Sequence, residues 1–585
     1  MTRIKTMSAI KQQLSKVLSQ ATNADISPDD FVLPPKNIDA DICLPCFELA
    51  KKMKKNPTEL AQEIAKINDT TVFERVNAAG PYVNFWLADA FLTGEALSET
   101  GSFDAAQDDI IKKQKTVMVE FAHPNTHKAF HIGHLRNIIT GESISRILEF
   151  IGYKIIRANY QGDVGLHIGK ALWGIKQLAA EYEKIKKESL DKRINFLGRA
   201  YALGGQTYET NEQAKKEVNE LNEKIYGKDD SIQEIYETTR AWSLEYFDKI
   251  YQRLNTKFVR LYFESEVFAR GKELTLEYLK KKVFKKSQGA IIFEGEKYGL
   301  HSRVFINSIG FPTYEAKDLA LAEAQFKEFK PERIIHVVGK EQTDYFKVLF
   351  KALEFVLPKS KDKEKHLAYG WVSLKSGKMS SRTGQVVLGE WLLDEVEKKI
   401  SEIMFKSELE NKDEVVKKVS AAAVKYAMLK IGVDHDMAFD INESVSVEGD
   451  SGPYLLYIVA RIKSVIAKHK IQSPKLSAQG GSAAGGKSKT NLKAFFVLHS
   501  SEKKLLLELT GFGEMVQKAG QELDPSCIAK YLLDLAHCFN NFYHDCPVLK
   551  ADDEVRNFRL LLIQKVCETM ETGLTLLGIE TVDKM

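Results

Sequence analysis

Between Thr116 and Phe121 apolar and β-branched residues crowd into one short run. After a loop holding Pro124 the spacing changes, and Leu135, Ile138, Ile139, Ile147, Leu148 and Ile151 recur at helical intervals. A second β-rich run, Ile155 to Asn159, follows, so this stretch predicts a βαβ unit. From about Ala171 to Phe258 the chain is charged and helix-favouring, which predicts a helical insertion. Strand-like runs at Arg303 to Asn307 and Ile334 to Gly339, the latter followed by a helical pattern, then predict that a parallel α/β sheet resumes. Beyond about Asp394 the periodicity is almost wholly helical, predicting an all-α region to the end of the chain.

The first hundred residues mix helical patterns with a strand-like end, Gly80 to Trp86, and close in the polar stretch Thr100 to Gln114. Three domains are therefore expected, at 1–113, 114–400 and 401–585. A loop of linker composition, about 472–490, interrupts the last: it holds Gly480, Gly481, Gly485 and Gly486 among Ser, Ala and Lys. With 585 residues, 44% hydrophobic and 28% charged, the chain can bury several cores. It carries no apolar run long enough to span a bilayer and no secretory-type N-terminus, so a cytoplasmic protein with no membrane partner is expected. Six cysteines fit a reducing compartment. The pair Cys43 and Cys46 lacks the second pair that a zinc ribbon needs, so no structural zinc is expected. A net charge of +4 leaves nucleic-acid binding undecided, although Lys51, Lys52, Lys54, Lys55 and Lys280 to Lys282 could meet phosphates.

The strongest chemical signal is His131-Ile-Gly133-His134, between a strand and a helix. A helix N-terminus there offers free N–H groups to a triphosphate. Gly133 lets a nucleotide approach closely, and two imidazoles can hydrogen-bond phosphate oxygens. The tetrapeptide alone would equally fit a small nucleotidyltransferase. Far downstream, however, Lys378-Met379-Ser380-Ser381-Arg382 follows Ser376-Gly377, a composition suited to closing over pyrophosphate. In this order, on an α/β fold, the two motifs resemble the signatures of class I aminoacyl-tRNA synthetases.

The flanking residues narrow the resemblance. Val119-Glu-Phe-Ala-His-Pro-Asn125, Lys128, Leu135-Arg136, Arg157-Ala-Asn-Tyr-Gln-Gly-Asp163, Tyr314-Glu-Ala-Lys-Asp318 and Val338-Gly-Lys-Glu-Gln342 are similar to the arginyl-tRNA synthetase pattern, and the similarity covers nearly the whole chain. It implies a Rossmann-like α/β catalytic domain with helical insertions, an N-terminal α+β domain on the tRNA elbow and a C-terminal all-α anticodon-binding domain. It also implies ATP with its Mg²⁺, L-arginine and tRNA(Arg) as partners, and a monomer.

By resemblance Asp318 and Glu264 hold the substrate guanidinium with Tyr314 lining it, while Asn125 and Gln342 hold the α-amino end and Glu120 supports the site. A planar, permanently charged group with five donors does call for carboxylates in fork geometry. His131, His134, Lys128 and Lys378 are expected to be catalytic, with Gly133, Met379, Ser380, Ser381 and Arg382 beside ATP. Asn84, Tyr457, Arg461, Tyr543 and Met585 are expected to meet tRNA. Two departures stand out: Val164 replaces the family's tryptophan in Gly162-Asp-Val-Gly165, and Ser381 replaces the second signature lysine, a gap that Lys128 could fill from the opposite wall.

Overall fold

The computed structural model describes residues 7–35, 38–67, 69–97, 115–375, 387–405, 408–472 and 497–585. The expected linker-like loop at 472–490 and the motif Lys378 to Arg382 lie outside these residues, apart from the helix end at Gln472. Near the N-terminus, strands β1 (Ile42–Pro45), β2 (Phe73–Ala79) and β3 (Tyr82–Leu87) form an antiparallel sheet in the order β1-β3-β2. Alternation along β3 turns Val83, Phe85 and Leu87 into the core and leaves Tyr82 and Trp86 on the other face. The helix Met7–Thr22 lays Ile10, Leu14 and Leu18 against that core.

The central sheet is parallel throughout. Its strands are β4 (Thr116–Glu120), β5 (Lys154–Gln161), β6 (Arg260–Phe263), β10 (Arg333–Gly339) and β11 (Glu364–Tyr369), in the order β11-β10-β4-β5-β6. The chain builds outward from β4 in one direction and then crosses to β10 on the other side. The switch point, where a crevice opens beyond the strand ends, therefore lies between β4 and β10. Asn137 bridges it: its Nδ2 donates to the Val337 carbonyl at 2.6 Å and its Oδ1 accepts from the Ala122 amide at 2.6 Å.

The expected strand at Arg303 to Asn307 exists but does not belong to this sheet. It is β9 (Arg303–Ile306), the third strand of a small antiparallel sheet with β7 (Lys285–Ser287) and β8 (Ala290–Phe293). The tight β7–β8 turn puts Gln288 and Gly289 at φ 48° and 79°, a positive pair that suits a two-residue hairpin. Its apolar face, Phe284, Phe293 and Phe305, packs on the helices Tyr314–Glu328 and Thr343–Val356.

Between β5 and β6 the insertion is helical, as expected, from Leu166–Gln177 to Asp230–Arg253. Val164 lies in this insertion's core cluster with Ile168, Leu172 and Trp242. After Asp394 one short strand, β13 (Met437–Phe439), interrupts the helices and pairs in parallel with β12 (Val372–Leu374). The expected boundary near 400 falls inside the helix Gly389–Ile403. Among the described residues no helix is long and apolar enough to cross a membrane.

The signature helix, Ile132–Phe150, is the spindle of the molecule. Fourteen of its residues are buried, including Arg136, Asn137, Thr140, Glu142, Ser143 and Ser145. The helices Gly389–Ile403, Lys412–Leu429, Phe512–Glu522 and Asp553–Leu576 all pack on it. Its polar residues are paired: Ser143 Oγ donates to the Leu576 carbonyl at 2.9 Å, and Glu142 accepts from Arg146 at 2.7 Å and Arg157 at 2.9 Å.

Candidate active site

The loop leaving β4 is strained. Ala122, His123 and His127 adopt φ of 83°, 48° and 63°, in the left-handed region that non-glycine residues avoid. Buried hydrogen bonds hold it there: Asn159 Oδ1 accepts from the His123 amide at 3.2 Å, Ser243 Oγ from the His127 amide at 2.9 Å, and the Gly162 carbonyl from the Thr126 amide at 2.9 Å. Asn125 is thereby laid against Gly162, where a Cβ would come within 2.2 Å of Asn125 Oδ1, so any larger residue at position 162 must displace the Asn125 amide. Asp163 is wholly buried and is used internally. It accepts from Arg240 Nε at 2.9 Å and from the Ser265 amide at 2.8 Å, anchoring the start of the helix Glu264–Lys280.

At the head of the signature helix the two histidine rings lie 3.8 Å apart, centroid to centroid. His134 Nδ1 accepts from the His131 amide at 3.1 Å, so its proton sits on Nε2, a neutral donor free for a phosphate oxygen. Both rings are held below the usual histidine range, first by burial and then by neighbouring cationic groups, Lys128 among them. Lys128 is half-buried, with its Nζ 4.7 Å from the centre of the Tyr201 ring. Beside His131 and Gly133 opens a cavity of about 380 Å³, walled also by Glu341, Tyr369, Trp371 and Val387. Trp371, one of the lining residues, is 58% exposed.

Sequence reasoning did not single out what fixes this cavity. Arg136, 1% exposed, donates to the carbonyls of Gly370 at 2.7 Å, Trp371 at 3.0 Å, Gly432 at 3.3 Å, Val433 at 3.3 Å and His435 at 2.8 Å. One guanidinium thus ties the signature helix to two loops. Asp436 completes the tie by accepting from the Trp371 amide at 2.7 Å and from Lys340.

A cluster of buried carboxyls surrounds the Tyr160 hydroxyl, which is itself buried without a hydrogen-bond partner among the described residues. Burial, then the charges of Glu264, Asp318 and Glu120, push that phenol well above its usual range. Two of these carboxyls already have cationic partners. Glu264 Oε2 accepts from Lys317 Nζ at 2.7 Å, both side chains being about 4% exposed. Burial lifts the Glu264 carboxyl to about 7 despite that lysine. Glu120 Oε1 lies 2.9 Å from His336 Nδ1, and Gln325 donates to its other oxygen.

Asp318 is different. Its Oδ2 accepts from the Tyr345 hydroxyl at 2.5 Å, while Oδ1 is buried without a hydrogen-bond partner among the described residues. Burial lifts this carboxyl to about 8. Tyr314, at the start of the same helix, is 56% exposed and stands over the pocket with Lys317 Nζ 4.6 Å from its ring centre. Gln342 is exposed at the head of the helix that carries Tyr345.

The residues expected to meet tRNA lie elsewhere. Tyr457, Arg461 and Tyr543 form one cluster, the Arg461 guanidinium standing 5.9 Å from the Tyr457 ring and 4.4 Å from the Tyr543 ring. Met585 is half-buried against the same helical core. Asn84 is 6% exposed. It sits between Tyr82 and Trp86, opposite Asn77, on the face where Arg75 stacks over Trp86 at 3.5 Å, so Tyr82 rather than Asn84 offers most surface there.

Comparison with known proteins agrees with this arrangement. Residues 97–441 match the family model described as tRNA synthetases class I (R), catalytic domain. Residues 8–87 match the arginyl tRNA synthetase N terminal domain, and 455–585 the DALR anticodon binding domain. The arginine–tRNA ligase of Treponema denticola is 32% identical over 94% of this chain and 94% of its own. That of Clostridium perfringens is 33% identical over 94% and 95%. The solved arginyl-tRNA synthetase of Thermus thermophilus superposes with a TM-score of 0.77 at 26% identity, covering 98% of this chain and 100% of that one. These matches make the chain a member of the arginyl-tRNA synthetases, which activate arginine with ATP and charge tRNA with it.

Proposed function

We propose that the Asp318 pocket is the guanidinium site and the head of the signature helix the phosphate site. The single observation that carries this reading is the orphaned, buried Oδ1 of Asp318, a carboxylate oxygen waiting for a donor in a pocket whose other acids are partnered. Glu264, shared with Lys317, would supply the second wall, and Tyr314 would close over the planar group. Asn125 and Gln342 would hold the α-amino end. The cavity beside Trp371 has the size and aromatic wall that suit an adenosine.

In this reading the arginine carboxylate attacks the α-phosphorus of ATP. A C–O–P bond forms, the bond to the β-phosphate oxygen breaks and pyrophosphate leaves. The carboxylate needs no general base, so the protein's work is positioning and charge stabilisation. His134 Nε2–H and Lys128 would act from the helix side, Lys378 would add a further positive charge, and Mg²⁺ would arrive on ATP. A ribose hydroxyl of the tRNA terminus then attacks the arginyl carbonyl, and AMP departs. Tyr82, with Asn84 beneath it, would face the tRNA elbow, and Tyr457, Arg461, Tyr543 and Met585 the anticodon.

Arginine-dependent ATP–pyrophosphate exchange, run with and without tRNA and with lysine and citrulline as competitors, tests this reading. Exchange with arginine that neither competitor supports is the expected result. Exchange supported equally by citrulline would remove the charged-fork assignment, because that analogue has the shape without the charge.

A further inference from the structure

Strand register assembles a charged triad beneath the proposed arginine pocket. On β10, His336 stands directly opposite Glu120 of β4, and Glu364 of β11 sits diagonally across from it. Its ring is clamped from both ends: Nδ1 lies 2.9 Å from Glu120 Oε1 and Nε2 lies 2.7 Å from Glu364 Oε2. The histidine and both glutamate side chains are less than 10% exposed. An imidazole that meets carboxylates at both nitrogens must donate from both, so it carries a full positive charge.

We propose that His336 is a positioning residue which keeps Glu120 ionised and fixed in place beside the arginine site, so that the charge of this one carboxylate does not depend on the pH of the surroundings. The inference rests on the reading of the Asp318 pocket as the arginine site. A buried carboxyl without a cation would take up a proton in the neutral range, as burial already does to Asp318. Burial works against charge on Glu120 too, but the adjacent imidazolium outweighs it and holds the carboxyl below its usual range. The same pairing, against the opposing effect of burial, carries His336 up to about 10.

The other titratable groups facing the ring are His123 in the loop after β4, His366 on β11 and Asp318 on the Tyr314–Glu328 helix. Burial holds both histidines below their usual range, so neither can replace His336 as the cation. Phe346 and Phe350, 5.3 and 5.8 Å away between ring centres, complete the wall.

The test is the arginine KM of the full-length enzyme, measured with ATP and tRNA from pH 6 to 8.5, for the parent, His336→Gln, Glu364→Gln and Glu120→Gln. For His336→Gln the KM ratio to the parent should grow by about tenfold or more on going from pH 8.5 to 6, as Glu120 protonates without its cation, while kcat changes little. Glu364→Gln should show the same trend to a smaller extent. Imidazole NMR of the histidine-labelled parent should show one ring that stays charged at pH 9, and this measurement needs no variant to fold. A His336 ring that titrates below pH 7, or a His336→Gln ratio flat with pH, would overturn the proposal. Glu120→Gln separates the two readings. An unchanged arginine KM there removes the arginine-site assignment itself, whereas a raised KM beside a flat His336→Gln ratio removes only the role of His336.

Discussion

Replacing Asp318 by asparagine keeps the size of the side chain and removes its charge, and the consequence depends on pH in a way that can be worked out. With its carboxyl lifted to about 8, the unliganded parent is mostly protonated at neutral pH. About a tenth of the molecules are ionised at pH 7, about a hundredth at pH 6 and most at pH 8.5. A guanidinium offers only donors and needs the ionised form, so arginine binding must expel that proton. The parent's arginine KM should therefore rise by nearly two orders of magnitude between pH 8.5 and 6, an effect that Asp318→Asn cannot share. At pH 8.5 the variant loses a desolvated charge partner, worth about 2 to 5 kcal/mol, so its KM should be at least about thirtyfold higher. At pH 6 the gap should be smaller by nearly two orders of magnitude.

Stability supplies the control. A carboxyl whose folded value lies above its unfolded one binds its proton more tightly when folded, so the parent loses stability as pH rises from about 4 to 8. The variant does not, and its melting temperature should gain on the parent's as the pH is raised. Steady-state aminoacylation across this range, with thermal melts on the same samples, measures both. A variant-to-parent KM ratio that is constant with pH would refute the reasoning, and unchanged arginine kinetics at pH 8.5 would refute the site.

Other outcomes follow from the same geometry. Lys128→Ala should lower the adenylation rate by roughly a hundredfold with a smaller change in the ATP KM, and Ser381→Lys should partly restore it; single-turnover adenylate formation reads this. Gly162→Ala must push Asn125 Oδ1 away from a Cβ only 2.2 Å off, so the arginine KM should rise while circular dichroism stays native. Arg136→Met strands several buried carbonyls, each costing about 1 to 3 kcal/mol, so the denaturation midpoint should fall sharply and ATP binding with it. Tyr457→Ala removes a ring that is 41% exposed; it should raise the KM for tRNA without moving the melting temperature appreciably.

How much of this was legible in the sequence depended on whether the signal was local. The βαβ core and the His131–His134 helix head were readable because period-2 and period-3.6 patterns meet there with a short motif between them. Tyr314 and Asp318, four residues apart, share the helix Tyr314–Glu328, a placement that such a spacing makes readable in the sequence. Strand β9 was assigned to the wrong sheet because a short apolar run carries no record of its partner. Strand β11, Glu-Lys-His-Leu-Ala-Tyr, went unread because it is an edge strand whose charged residues hide the alternation.

The partners of site residues were the least visible. Nothing local ties Lys317 to Glu264, 53 positions earlier. His336 and Glu120 meet only through pairing of strands more than two hundred residues apart. A usable hint did exist for Arg136. A single arginine among the apolar positions of a helix that is buried nearly all round must find its acceptors inside the protein.

Those acceptors are all main-chain oxygens, and this sets which changes the enzyme can accumulate. Arg136 reads the path of the Gly370–Trp371 and Gly432–His435 loops but not their side chains, so what limits exchange there is other contacts, above all at Gly370, where a Cβ would meet the His435 carbonyl at 2.3 Å. Insertion or deletion of even one residue would shift carbonyls that converge on one planar group. Among natural or engineered variants, then, these loops should tolerate almost no change in length.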